Sequence, residues 1–328
     1  MGHMHPLSSP HPELPAHMHF WQRGWLSGNN VLFNAPNTPA ALVDSGYSSH
    51  AALTLDLVQQ ALPEQPLDYL YNTHLHSDHC GGNAALQARY PALQTFIPPG
   101  EAQAVRAWDA AQLSYDATGQ SCPRFAVQGL LQPGQCIDLG GTPWHIQAAP
   151  GHDPHAVLLF EPQQGILISG DALWENGFGV VFPDIDGERA FDAVGDTLDL
   201  IAQLQPRLVI PGHGQLIVGT TAVQAALQRA RSRLQQFIDS PWHHTLYGAK
   251  VLIKFKLMEQ RQWPLSDLYA WAQRTPLLCK LHAQAQVRGP KHGTDVPQHM
   301  QAWVEQLLNA LARSGAATLT PDAVQDAG

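Results

Sequence analysis

The chain is predicted to form a mixed α/β region over residues 18–228 and a mostly helical module over residues 229–328. Three observations carry this. Short apolar runs with strand-like alternation are interleaved with stretches of helical period through the first part. The 27 glycines and 26 prolines supply the turns that many short strands need. The charge also changes abruptly. Residues 1–228 hold 6 Arg, no Lys and 20 Asp plus Glu, whereas residues 229–328 hold 12 Lys plus Arg and 7 Asp plus Glu, including all five lysines. A net −14 followed by a net +5 marks a change of module near 228.

Taken in order, residues 1–17 read as a flexible tail. They hold His and Pro without the continuous apolar core of a signal peptide. Strands are expected at Met18 to Trp25, Val31 to Phe33 and Ala40 to Asp44, separated by Gly28-Asn29-Asn30 and by Pro36 and Pro39. Residues 48–62 place Leu53, Leu57, Val58 and Leu62 on one helical side. Asp68 to Asn72 is a strand leading into a His-rich loop, and a helix follows from Gly82-Asn83 to the stop at Pro91. Leu93 to Ile97 is a strand and residues 100–115 are helical. Residues 125–149 alternate as two or three strands. Ala156 to Phe160 and Gly165 to Ser169 form a hairpin. Residues 188–204 are an amphipathic helix, and Leu208-Val209-Ile210 is a buried strand. Beyond Ala222 helices are expected at Thr221 to Ile238, Lys250 to Glu259, Leu265 to Arg274 and Met300 to Arg313. The last runs into a small wing near Thr318 and Leu319, which suggests a winged-helix-like module.

The composition excludes some classes. No apolar run approaches the length of a membrane span. Cys80, Cys122, Cys136 and Cys279 form no CxxC pair and no disulfide framework, which fits a reducing, cytoplasmic setting.

The chemistry is concentrated in seven residues. His74, His76, Asp78 and His79 lie within six positions, and His152, Asp171 and His213 follow in Pro150-Gly151-His152, Ser169-Gly170-Asp171 and Pro211-Gly212-His213-Gly214. So many polar side chains at the ends of apolar runs need a common partner, because unpaired buried polar groups are costly. Imidazoles and carboxylates without thiolate suit zinc, with iron or manganese as alternatives. His74 and His76, two apart on a loop, can point the same way, and His152 completes three nitrogens for one ion. Asp78 and His79 are adjacent and must diverge, which suits a second ion shared with His213. Asp171 has two oxygens and is placed to bridge.

These residues closely resemble the ligand blocks of the metallo-β-lactamase-fold hydrolase superfamily, over roughly residues 18–220. The resemblance implies a four-layer αββα sandwich with two divalent metal ions at one edge between the sheets. It also implies that His155 orients its loop and that Asp44, before Ser45-Gly46, accepts a proton from a ligand His; a plain turn Asp is the other reading of Asp44. Several branches fit poorly. The true β-lactamases lack the carboxylate seen at Asp171, and the flavodiiron branch has Glu in place of the second His. No glyoxalase II signature for glutathione is evident near the C-terminus. The acyl-homoserine lactonase branch uses a Tyr near the metals, which here would have to be Tyr47, Tyr115 or Tyr247.

The expected activity is cleavage of an ester, thioester or lactone by a bridging hydroxide, with Asp78 relaying a proton as the catalytic acid or base. The alternatives are a phosphodiesterase or ribonuclease of the same fold, or an iron-dependent oxidoreductase similar to persulfide dioxygenases. An acidic catalytic part favours a small acyl substrate over nucleic acid. Trp174, Phe178 and Phe182 are expected to line the pocket. Lys250, Lys254, Lys256 and Arg261 have two readings: contacts to an anionic substrate such as a coenzyme A thioester, or a face that is solvated or pairs with the acidic part of the chain. The apolar residues among helices 250–274 are expected to pack over the sandwich or against a second copy in a homodimer.

Overall fold

The computed structural model describes residues 11–109, 112–185, 187, 189–289 and 296–328. Two six-stranded sheets face each other. The first joins β1 (Met18–Trp21), β2 (Asn30–Phe33), β3 (Ala41–Val43), β4 (Tyr69–Tyr71), β5 (Gln94–Ile97) and β6 (Gly129–Leu130) in sequence order. Its β1–β2 and β2–β3 pairs are antiparallel and the rest parallel. The second joins β7 (Cys136–Leu139), β8 (Thr142–Ala148), β9 (Val157–Glu161), β10 (Ile166–Gly170), β11 (Leu208–Pro211) and β12 (Ile217–Val218). Only β10–β11 is parallel there.

The layering follows from side-chain alternation along each strand. Val31 and Phe33 of β2 and Val157 and Leu159 of β9 enter the core between the sheets, with Trp144 and Ile146. Leu32 faces the other way. With Leu42 and Leu70 it packs under α1 (Ala51–Ala61) and α3 (Asn83–Arg89) through Val58, Leu62 and Leu86, and the short α2 (Ser77–Cys80) precedes α3 in the chain. Two short helices, α4 (Ala102–Ala107) and α5 (Ser114–Thr118), stand where one continuous helix was expected. On the far side, α6 (Phe182–Ile185) leads into α7 (Ala190–Leu204) and α8 (Thr220–Asp239). These two long helices cover Leu158, Leu167 and Val209 with Val194, Leu198, Leu227 and Leu234. The result is the expected αββα sandwich.

The C-terminal part comprises α9 (Pro241–Gln260), β13 (Gln262–Pro264), α10 (Leu265–Arg274), α11 (Pro276–Arg288), α12 (Met300–Arg313), β14 (Ala317–Leu319) and β15 (Ala323–Asp326). Its three strands form an antiparallel sheet in the order β13-β15-β14, which is the expected wing. Proline in the first turn starts both α9 and α11.

Several expectations are corrected here. The boundary at 228 falls inside the continuous helix α8, whose Ala230, Leu234 and Phe237 pack on the sandwich with Val223 and Leu227. A charge change along a helix alters its solvent face without ending it. Residues 11–17 of the expected flexible tail are packed: Leu14 is buried in the inter-sheet core and the His17 carbonyl accepts the Asn34 N–H. Residues 1–10 of that tail lie outside the described residues. Lys254 and Lys256 of α9 are largely covered, at 19% and 15% exposed, whereas Arg261 just beyond the helix is 78% exposed. Lys254 pairs with Asp326, Lys256 with Glu259 at 2.7 Å, and Arg261 with Asp326 at 3.1 Å. Among the described residues no helix is long and apolar enough to cross a membrane, and all four cysteines are free.

Candidate metal centre

The seven residues arrive at one edge because each follows a strand or sits on a turn beside one. His74 lies three residues beyond β4, and Asp78 and His79 ride on α2. His152 follows β8, Asp171 is the residue after β10, and His213 lies two beyond β11. The parallel pairing of β10 and β11 brings Asp171 and His213 to the same end. Glycines leave room for close approach. A Cβ on Gly212 would stand 2.2 Å from Asp171 Oδ1, and one on Gly28 would stand 2.7 Å from the His79 ring.

The side chains fall into two groups. His74, His76 and His152 each offer a donor atom, all within 4.8 Å of one another; so do Asp78, His79, Asp171 and His213. His76 Nδ1 and His152 Nε2 are 2.8 Å apart. Asp171 lies between the groups, with Oδ2 3.4 Å from His152 Nε2 and Oδ1 3.3 Å from His79 Nε2. Asp78 Oδ2 is 3.0 Å from His213 Nε2.

Hydrogen bonds on the outer side set which nitrogen is free. The Thr73 hydroxyl donates to Asp44 Oδ2 at 2.9 Å, so its oxygen accepts from His74 Nδ1 at 3.1 Å. His79 Nδ1 donates to the same Asp44 oxygen at 2.7 Å. His152 Nδ1 donates to the Val180 carbonyl at 2.5 Å. Each bond leaves Nε2 with its lone pair turned inward. His74 Nε2 and His79 Nε2 are buried with no hydrogen-bond partner, the kind of orphan that a cation satisfies. This donor set fits two divalent ions: nitrogen and carboxylate oxygen, two adjoining groups and one carboxylate common to both.

Electrostatics agree. Burial and the neighbouring His79 and His76 hold His74 well below its ordinary value, and burial with His76 brings His152 down to about 4. Both are therefore neutral at physiological pH, as imidazoles that could hold a cation must be. Burial pushes His79 down, but Asp171, Asp44 and Asp78 more than offset this and hold it well above its ordinary value. Burial pushes Asp171 up, while His213 and His79 outweigh it and hold the carboxyl well below the usual range.

The remaining expected residues divide. Asp44 adopts φ of 59°, a left-handed conformation that Asp tolerates better than most residues, and it accepts the Thr73 N–H as well. It is therefore not a plain turn residue. His155 is exposed and touches no ligand His; its N–H donates to Asp153 Oδ1 at 2.7 Å, which shapes the loop from the backbone. Trp174 is half-buried, with Nε1 donating to Asp171 Oδ1 at 3.1 Å. The Phe182 ring stands 4.9 Å from that of His76 and 5.7 Å from that of His152. Phe178 does not line the site. It is buried edge-on against Phe237 in the core beneath α8, because its side chain points to the opposite side of its loop. Among the tyrosines, the Tyr47 hydroxyl accepts the Ser121 N–H and Tyr115 bonds Cys80 Sγ at 3.2 Å.

Four contributors carry no motif and were not anticipated. Trp25 is 55% exposed and stacks on His213, with centroids 5.3 Å apart and planes 6° from parallel. Asn29 clamps the His213 loop through the Pro211 and Gly214 carbonyls, both at 2.9 Å. Asn72, fully buried, donates to the His79 carbonyl. Asp153 Oδ2 lies 3.8 Å from His76 Nε2. Only Asn29 had a sequence cue, a Gly-Asn-Asn turn.

Comparison with known proteins adds the following. Residues 23–213 match the description of the metallo-beta-lactamase superfamily. The hydroxyacylglutathione hydrolase of Acidiphilium cryptum (strain JF-5) is 32% identical over 190 residues, 57% of this chain and 65% of that protein. The hydroxyacylglutathione hydrolase of Dechloromonas aromatica (strain RCB) is 30% identical over 176 residues, covering 50% and 57%. The chain thus spans less than two thirds of these curated relatives. A crystal structure of a metallo-beta-lactamase family protein from Thermus thermophilus aligns with 94% of this chain and 97% of its own. Its TM-score is 0.52 at 18% identity, a likeness of fold.

Proposed function

We propose a substrate class from one premise: the chain belongs to the metallo-beta-lactamase superfamily and is a metal-dependent hydrolase. Its substrate is a small acyl thioester, with esters and lactones as related substrates. The observation that carries the metal-hydrolase chemistry is the placement of Asp171 between two groups of donors. The thioester is favoured by the relatives, which are named for hydrolysis of hydroxyacylglutathione.

In this reading His74, His76 and His152 hold one ion, Asp78, His79 and His213 hold the other, and Asp171 is shared. Two divalent cations held there, zinc by this donor set, would supply Lewis acidity and a hydroxide nucleophile at neutral pH. The chain's own groups do the rest. Asp44 and Val180 fix the imidazole tautomers. Asp78, the more exposed of the two carboxylates at 14% against 6%, handles the proton passed to the leaving thiol. Phe182 and the outer face of Trp25 flank the acyl group. Pairing of the largely covered Lys254 and Lys256 with carboxylates removes part of the basic surface that a polyanionic substrate would need.

Metal-replete enzyme assayed against thioesters, lactones, β-lactams and phosphodiesters, with His76→Ala as the blank, tests this. Thioester turnover is expected and should vanish in the blank. Cleavage of phosphodiesters alone, or oxygen consumption with a persulfide and iron, would replace the proposal with one of those activities. Trp25→Ala should raise KM for apolar acyl thioesters about tenfold, from a lost contact on the order of 1–2 kcal/mol, and change kcat little. A lowered kcat at unchanged KM would remove Trp25 from substrate binding.

A further inference from the structure

We infer that His244, on helix α9 outside the metal cluster, is a positioning residue for His152. The inference rests on His152 being a metal ligand. His152 is held from two sides by the segment Val180–Phe182: its Nδ1 donates to the Val180 carbonyl at 2.5 Å, and its own carbonyl accepts the Phe182 N–H at 3.4 Å. The peptide between those contacts is gripped in turn. The Val181 N–H donates to His244 Nε2 at 3.1 Å. An acceptor Nε2 puts the proton of the neutral ring on Nδ1, which donates to Asp184 Oδ2 at 3.0 Å. Asp184 Oδ2 also accepts from Arg288 Nη1 of α11 at 3.1 Å. A chain of hydrogen bonds therefore runs from α11 and α9 of the C-terminal part, through Asp184, His244 and the Val180–Val181 peptide, to the outer nitrogen of a ligand.

His244 is fully buried, wedged between the rings of Phe191 at 5.3 Å and Phe237 at 5.0 Å. It has no room to choose another partner. Gly179 completes the seat: a Cβ there would stand 2.2 Å from His152 Nδ1, so this backbone lies directly against the ligand ring. Partners that hold the far side of a metal-bound imidazole affect metal affinity by about 10–100-fold. Here the far side is held by a loop, and the loop is held by His244. The C-terminal helices thus bear on the ion that His152 would hold, whereas Asp44 bears on both groups through His79 and, by way of Thr73, His74.

The test compares two polar replacements in the full-length chain. The Gln in His244→Gln reaches the Nε2 position with its amide oxygen and can still accept the Val181 N–H. The shorter Asn in His244→Asn leaves that N–H without a partner. Zinc affinity is read by chelator competition, resolving the two ions per chain, with thermal unfolding of the metal-free protein alongside. The expected result is two tight ions in wild type and His244→Gln, and one ion weakened about 10–100-fold in His244→Asn. Equal effects of the two variants, or none in either, overturn the inference, since loss of packing alone does not distinguish Gln from Asn. If neither variant folds, Arg288→Leu decides. It should weaken the same single ion to a smaller degree, and an unchanged affinity overturns the proposal. A wild-type chain that binds no zinc would overturn the metal-centre reading together with this one, whereas unaffected variants of a wild type that binds two ions overturn this one alone.

Discussion

Replacing Asp171 with Ala is expected to lower kcat/KM at least ~10³-fold and to release one of two bound ions. The magnitude follows from losing several kcal/mol of Lewis-acid stabilisation, at about 1.4 kcal/mol per tenfold in rate. Asp171 meets His152 Nε2 with one oxygen and His79 Nε2 with the other, and so reaches both groups. Metal analysis and steady-state rates on the same preparation check the result. Two tight ions and near-normal turnover in the variant would remove Asp171 from the centre of the account. The substitution should also change the stability of the metal-free protein in a pH-dependent way. The Asp171 carboxyl lies well below the usual range, so its contribution is present above ~4 and lost as pH falls toward its folded value. His79 lies well above its ordinary value, so its contribution is present below ~6.5 and lost as pH rises toward its folded value. The stability that metal-free wild type holds over Asp171→Ala should therefore be greatest between ~4 and ~6.5 and narrow on both flanks, while His74 and His152, held below their ordinary values, lower the stability of both proteins as pH falls below ~6.5. Denaturant melts across that range measure it.

Asp44→Ala should damage both ions at once. One carboxylate orients His79 directly and His74 through the Thr73 hydroxyl, and those two imidazoles belong to different groups. Each affinity is expected to fall about 10–100-fold. Folding stability should drop by about 3–5 kcal/mol, because a buried charge partner of His79 and the acceptor for the Thr73 N–H disappear together. Alanine at φ of 59° adds roughly 1–2 kcal/mol of backbone strain. Asp44→Asn, which tolerates that backbone, should recover most of the stability but not the zinc affinity. Loss of only one ion in either variant would mean that the Thr73 link to His74 is idle.

The metal cluster was readable from the chain because its residue types are rare together and recur beside glycine at strand ends. Its supporting residues were harder to read for a physical reason. Asp153 and Trp25 act through contacts between segments far apart in sequence, Asn72 acts through a backbone carbonyl seven residues on, and each has an ordinary local use as a turn, loop or surface residue. Phe178 and Phe182 look alike in sequence and are only four positions apart, yet one is buried under α8 and the other faces the imidazoles; the turn between them decides. Strands and amphipathic helices were legible wherever one face is apolar. Helix α9 was expected to begin only at Lys250 because it buries His244, Thr245, Gly248, Leu252 and Phe255 against several neighbours, which leaves no single stripe to detect. The charge reversal at 228 is real, but the chain continues through it as one helix.

That unbroken α8 bears on how the protein can be dissected. A fragment ending at Gln228 would keep Val223 and Leu227 while discarding Ala230, Leu234 and Phe237, removing part of the roof that α7 and α8 together place over Leu158, Leu167 and Val209. Such a truncate would present a sticky, half-clothed sheet and should precipitate. The module exchange that the abrupt composition invites is therefore barred at that joint, and any viable scission has to come after Asp239.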